Sequence, residues 1–107
     1  MKIITEVYKT LTLNGLVKDK ADFSLKWARR NSNWLSYTEH KKREAGLEAM
    51  LNIRMALDNH IRYFEGRKSK MGWLADEKIK ALRDIRERID SYILDRYRIT
   101  QIEMKAA

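Results

Sequence analysis

The chain has no proline and no cysteine, and only four glycines (Gly15, Gly46, Gly66, Gly72) interrupt its 107 residues. Lack of cysteine excludes disulfides and thiolate metal sites, and His40 and His60 do not have the i, i+4 spacing of a helical metal pair. No metal site is expected. So few turn residues, beside abundant Leu, Ala, Lys, Arg, Glu and Met, predict an all-α fold. No apolar run approaches the roughly 20 residues that span a bilayer, and Glu6 interrupts the opening MKIITEVYKT where a secretory signal needs an unbroken apolar stretch. A cytoplasmic protein without membrane contact is the expectation. There is no glycine-rich phosphate loop, no Ser/His/Asp pattern and no cysteine nucleophile, so neither enzymatic activity nor a cofactor is expected.

Positive charge is plentiful: 23 Lys/Arg against 15 Asp/Glu give a net charge of +8. Residues 1–46 hold 10 of those cations against 5 acids, whereas residues 71–107 hold 8 against 7. Excess cation concentrated on one part of a small domain points to a polyanionic partner.

Apolar spacing divides the chain into helices. Ile3, Ile4, Val7, Leu11 and Leu13 predict a packing helix over about 2–13, stopped by Gly15, and Phe23, Leu25, Trp27 and Ala28 predict a short one after it. Asn31, Ser32 and Asn33 are good N-cap residues, so a further helix is predicted over about 32–41, apolar at Leu35 and Thr38 and polar on its other side. Leu47, Met50, Leu51, Ile53, Leu57, Ile61 and Phe64 mark a core helix over 47–65, ended by Gly66. After GRKSKMG (66–72), the one candidate boundary, comes a long helix over about 73–98. Its stripe of Leu82, Ile85, Ile89 and Ile93 suits either packing or a dimer seam, with Arg83/Glu87, Asp84/Arg88 and Arg86/Asp90 pairing at i, i+4. Residues 99–107 are expected to fray. The predicted architecture is thus a bundle of about four helices in residues 1–66 plus the C-terminal helix.

Short apolar helix, polar break, polar-faced helix and apolar helix in quick succession is the order of a helix-turn-helix unit. Ala28, Asn31, Leu35, Ser36, Glu39, Leu47, Met50, Ile53 and Leu57 give segment 28–57 a spacing that resembles the Cro and lambda-repressor type, or XRE-like, helix-turn-helix family. The phrase DFSLKWARRNSNWLSY also resembles the DFSxxWLGRSxSYYS-like opening of a group of small bacterial and phage proteins. Arg29 and Lys41 stand where the helix-turn-helix family usually has glycine, and Leu25 stands where it usually has a small alanine against the recognition helix.

The resemblance implies a bacterial or phage transcriptional regulator that binds double-stranded DNA as a homodimer, on half-sites about 34 Å apart. It places helix 32–41 in the major groove with Ser32, Asn33 and Tyr37 at base edges and Ser36 suited to base or phosphate. Arg29, Arg30, Lys41, Lys42 and Arg43 then neutralise phosphates, and Leu82, Ile85, Ile89 and Ile93 offer the dimer seam. Plain capping by Ser32 and Asn33 and a solvated helix end at 41–43 are the blander readings of the same residues. The rival function is a helical phage or bacterial accessory or inhibitor protein that sets its basic face against an acidic protein partner.

Overall fold

Ile4, Val7 and Leu11 fall on one side of an α-helix, and they are the buried residues of α1 (Ile3–Leu13). Gly15, at φ 71°, ends it: the Leu16 N–H reaches back to the Leu11 carbonyl at 2.9 Å and the Gly15 N–H to Thr12 at 3.1 Å, a Schellman closure that needs a left-handed residue. Asp19 then caps α2 (Lys20–Asp22), its carboxylate accepting the Asp22 N–H at 2.8 Å. In return the Asp22 carboxylate accepts the Lys18 N–H at 3.0 Å, which, with Lys26 beside it, holds Asp22 below the usual carboxylate range. α2 runs directly into a π-helical turn (Phe23–Trp27).

The remaining elements are α3 (Trp34–His40), α4 (Leu47–Glu65), α5 (Lys68–Met71) and α6 (Trp73–Tyr97). The structure, a computed structural model, describes residues 2–97, and among them there is no strand. The fraying expected of 99–107 lies outside the described residues. No described helix is long and apolar enough to cross a membrane, and the described residues hold no His/Cys/Asp/Glu group able to bind a metal ion.

α4 and α6 pack antiparallel along their length. Ala49, Met50, Ile53, Leu57, Ile61 and Phe64 of α4 share one buried core with Ile79, Leu82, Ile85, Ile89 and Ile93 of α6. α1 lies antiparallel on α6 as well, with Glu6 against Arg88 at 3.3 Å at one end and the Lys78 ammonium on the Asn14 carbonyl at 2.7 Å at the other. One apolar cluster takes in residues of α1, α3, α4 and α6. The segment 66–72, expected to separate two parts, therefore connects helices of a common core and itself forms the short α5.

Two expectations need correction. The helix predicted over 32–41 begins at Trp34, so Ser32 and Asn33 lie in the preceding turn. Leu82, Ile85, Ile89 and Ile93 are all buried in the chain's own core, between α6 and its neighbours α4 and α1, and leave no apolar seam there for a second copy. The cations of α6 also look outward to other helices rather than along their own: Arg83 pairs with Glu65 at 2.6 Å, Arg86 with Asp58 at 2.5 Å and Arg88 with Glu6.

Ile89→Ala should cost about 2–5 kcal/mol of unfolding free energy, the range of a large-to-small change at a buried site. Denaturant unfolding at two protein concentrations tenfold apart checks it. A core residue gives the same midpoint shift at both, whereas a seam residue would give a shift that depends on concentration.

Candidate nucleic-acid interface

The turn between α2 and α3 is built around one buried hydroxyl. Ser24, with no exposed surface, donates to the Lys20 carbonyl at 2.8 Å and accepts the Leu35 N–H at 3.0 Å. This satisfies a backbone donor in the first turn of α3 and ties the two short helices together. The π turn makes it possible: the Ala28 N–H bonds the Phe23 carbonyl five residues back, at 3.1 Å, and the extra residue rotates the helix face. Ser24, the smaller neighbour, thereby faces α3, while Leu25 is 53% exposed. Leu25 does not occupy the position between helices that the family pattern implies for it.

Arg29 follows at φ 55° and the Arg30 N–H closes on the Ser24 carbonyl at 2.8 Å. A left-handed residue is thus required where the resembled family carries glycine, and an arginine supplies it. Asn31 orders the rest of the turn, its side-chain oxygen accepting the Asn33 N–H at 3.0 Å and its carbonyl accepting the Trp34 N–H at 3.0 Å. Asn33 precedes the first residue of α3 but its side chain makes no capping bond. From behind, the Asn52 amide donates to the Ala28 carbonyl at 2.9 Å.

α3 buries Leu35 and Thr38 and turns its other side outward. Ser32, Asn33, Ser36 and Tyr37 are all exposed, Tyr37 to 50%. Asn33, Ser36 and Tyr37 share one side, three and four residues apart. Among the described residues none of these four side chains makes a hydrogen bond. Glu39, on the inner side, fixes the helix from two directions, accepting from the Thr5 hydroxyl at 3.0 Å and pairing with the Lys20 ammonium at 2.7 Å. That hydrogen-bonded partnership raises Lys20 above the usual lysine range.

Beyond α3 the chain closes a second Schellman turn: the Arg43 N–H reaches the Thr38 carbonyl and the Lys42 N–H the Glu39 carbonyl, both at 3.0 Å, with Lys42 left-handed at φ 54°. The resembled family has its glycine at the position of Lys41, and here the positive φ falls one residue later. Arg29, Lys41, Lys42 and Arg43 are exposed, and among the described residues none has a carboxylate within 4.0 Å. Arg30 differs, being half-buried and 3.3 Å from Glu48. The Lys41 ammonium and Arg43 guanidinium lie 6.0 and 5.7 Å from the centre of the Tyr37 ring, so the exposed aromatic and the cations form one patch.

The loop that carries these cations is pinned by residues the sequence reading did not single out. The Lys2 ammonium donates to the Lys42 carbonyl at 2.5 Å and pairs with Glu44 at 3.2 Å. The Tyr92 hydroxyl donates to the Glu44 carboxylate at 3.0 Å, and the Tyr97 hydroxyl to the Ala45 carbonyl at 3.4 Å. Glu44 is held below the usual carboxylate range, first by the Tyr92 hydroxyl and then by Lys2, while burial and Glu44 push Tyr92 up to about 12. Separations of 40 to 52 residues leave no local pattern from which these pins could have been read.

A family model described as a family of unknown function (DUF6626) matches residues 4–102. No curated protein and no solved structure matches the chain.

Two outcomes test the local build. Ser24→Ala leaves the Leu35 N–H buried without its acceptor and should lower stability by about 1–3 kcal/mol in denaturant unfolding. Lys42→Gly removes a left-handed side-chain penalty of about 1 kcal/mol or more, offset by the flexibility of glycine. The midpoint of the glycine variant should therefore equal or exceed that of the parent chain.

Proposed function

The chain belongs to this family of unknown function, and from its own geometry we propose that it is a sequence-specific DNA-binding protein, a transcriptional regulator of the bacterial or phage type. The observation that carries the reading is the pairing of two features on one surface. Four exposed cations without carboxylate partners among the described residues, Arg29, Lys41, Lys42 and Arg43, bracket an exposed row of polar side chains whose hydrogen-bonding groups are uncommitted.

α3 is about 10 Å long at 1.5 Å per residue, a size that enters a major groove about 12 Å wide. Asn33 can pair with adenine through both groups of its amide, and the hydroxyls of Ser32, Ser36 and Tyr37 donate to or accept from either base type. Arg29, Lys41, Lys42 and Arg43 neutralise phosphates on the flanking strands and set the register without reading sequence. Arg30, already paired with Glu48, contributes less than the other four.

Three further features support a nucleic acid over an acidic protein as the partner. The face has a single exposed aromatic, Tyr37, and otherwise short polar side chains, whereas protein interfaces centre on buried aromatic and apolar anchors. Both left-handed positions of the unit are given to cations, which keeps charge where backbone geometry favours glycine. α3 is also held by polar ties to its neighbours, a geometry suited to presenting a fixed edge. A homodimer on two half-sites belongs to the proposal, with its seam outside the buried stripe of α6.

Anisotropy of a randomised duplex library across salt concentrations, followed by sequencing of the bound fraction, tests the reading. Log affinity should fall linearly with log salt, by about 0.9 per phosphate contact, and a motif should be enriched. Replacing Arg29, Lys41, Lys42 and Arg43 together by alanine should flatten that slope by roughly 3 to 4 and weaken binding to every sequence alike. Asn33→Ala should keep the slope and change the motif. Absence of salt-dependent binding by the parent chain would end the proposal and favour an acidic protein partner.

A further inference from the structure

The loop from Lys41 to Gly46 carries three of the four phosphate-contacting cations and one acid, Glu44. An acid amid phosphate contacts opposes binding unless it is neutralised or turned away. Here its charge is partnered, since Glu44 accepts from the Tyr92 hydroxyl at 3.0 Å and pairs with Lys2 at 3.2 Å. Its negative charge is thus used to fasten the loop to the C-terminal end of α6 and the N-terminal end of α1.

The same fastening brings a cation from the far end of the chain to the loop. Tyr92 and Tyr97 stand edge to face, with ring centres 6.5 Å apart and an interplanar angle of 74°. Each touches the loop through its hydroxyl, Tyr92 at Glu44 and Tyr97 at the Ala45 carbonyl. The Arg96 guanidinium lies 6.0 Å from the centre of one ring and 5.9 Å from the other. It is exposed, and among the described residues no carboxylate comes within 4.0 Å of it. Two aromatic neighbours restrict this exposed side chain, and the Tyr97 hydroxyl beside the guanidinium, ahead of Tyr92, raises Arg96 above the usual arginine range.

Resting on the DNA-binding reading of the preceding subsection, we propose that the nucleic-acid site extends onto the C-terminal end of α6, with Arg96 as a further phosphate contact and Tyr92 as the positioning residue that holds loop 41–46 against it. Arg96 is then the partner of Arg43 and Lys42 across the Tyr92–Glu44 tie, and the contact surface draws on α6 as well as on the segment 29–43. Phosphate is the ligand because a guanidinium set beside two rings offers paired donors to a tetrahedral oxyanion, and because those two tyrosines are the ones whose hydroxyls hold the cationic loop at Glu44 and Ala45.

A plain stabilising role for Arg96 at the end of α6 predicts a change in stability and none in the salt dependence of binding. Arg96→Ala, Arg96→Lys and Tyr92→Phe separate the two, using fluorescence anisotropy of a labelled duplex over a salt series, with thermal unfolding as control. Arg96→Ala should lower the slope of log affinity on log salt by about 0.9 and weaken binding roughly tenfold at fixed salt, equally for all sequences. Arg96→Lys should keep the slope. Tyr92→Phe keeps the ring under Arg96 and releases Glu44, so it should keep the slope while weakening binding by roughly two- to tenfold, with faster amide exchange in 41–46. Arg96→Ala with the parent slope, while Lys41→Ala loses its share, would overturn the extension and leave the reading of α3 intact. A parent chain whose duplex binding shows no salt dependence would overturn both.

Discussion

Everything else in this molecule hangs on the antiparallel seam between α4 and α6. Apolar side chains alone specify that two helices pack but only weakly specify how far one may slide along the other, because neighbouring Leu and Ile positions offer similar holes. The charges beside the seam remove that freedom. Arg54 reaches Asp90 at 2.5 Å and its own helix's Asp58 at 3.4 Å, and Asp58 also accepts from Arg86 at 2.5 Å. These groups are each about a quarter to a third exposed, so their desolvation is partial and their net contribution to stability is small. Their geometry is exacting all the same: a one-turn slip would separate Arg54 from Asp90 and leave charges without partners at the edge of the core. The hydrogen bond to Asp90 also holds the Arg54 guanidinium above the usual arginine range, as expected of a cation fixed by its acid.

From that seam the rest is placed by short steps. α1 lies on α6 with its direction set by Glu6–Arg88 and Asn14–Lys78. α4 carries the base of the candidate site, since Asn52 donates to the Ala28 carbonyl and His60 stacks on Trp27 with ring centres 4.4 Å apart. Ser24 passes the constraint from α2 to α3, Glu39 adds ties from α3 to α1 and α2, and Glu44 ties the following loop to α1 and α6. The recognition-like helix is therefore supported chiefly by polar contacts from segments distant in sequence, with Leu35 and Thr38 as its buried residues.

How far the sequence could be read follows from the range of each interaction. Long amphipathic helices were legible because their signal is periodic and local: the spacing over 47–65 and from Trp73 onward coincides with α4 and α6. The helix order of the candidate site was legible for the same reason. What one stripe packs against was not, since Leu82, Ile85, Ile89 and Ile93 have the same spacing whether they meet α4 or another chain. The π turn escaped because a single extra residue leaves no mark on composition; it buries Ser24 and exposes Leu25, the reverse of what hydrophobicity suggests. The short α3 escaped in its boundary because Asn31, Ser32 and Asn33 are equally good caps, and Asn31 used its side chain on the turn instead. The tyrosine pins and Arg96 lay beyond any local pattern.

Placing the site on polar ties has a consequence for its dynamics. A helix of seven residues that buries two side chains has little local free energy of its own. The α4–α6 seam sets the global stability, and α3 is joined to the same core through Leu35 and held in place by Ser24, Glu39 and Glu44. Arg29 and Lys42 each raise the free energy of the closed site, by about 1 kcal/mol or more, at positions where glycine would relax it. That the chain carries long cations there while Ser24, Glu39 and Glu44 tie the segment down on every side is consistent with a surface adjusted for its charge and edge geometry rather than for its own stability. Bound phosphates would add a favourable term at both turns, offsetting the backbone cost that Arg29 and Lys42 impose on a site already held in its binding geometry.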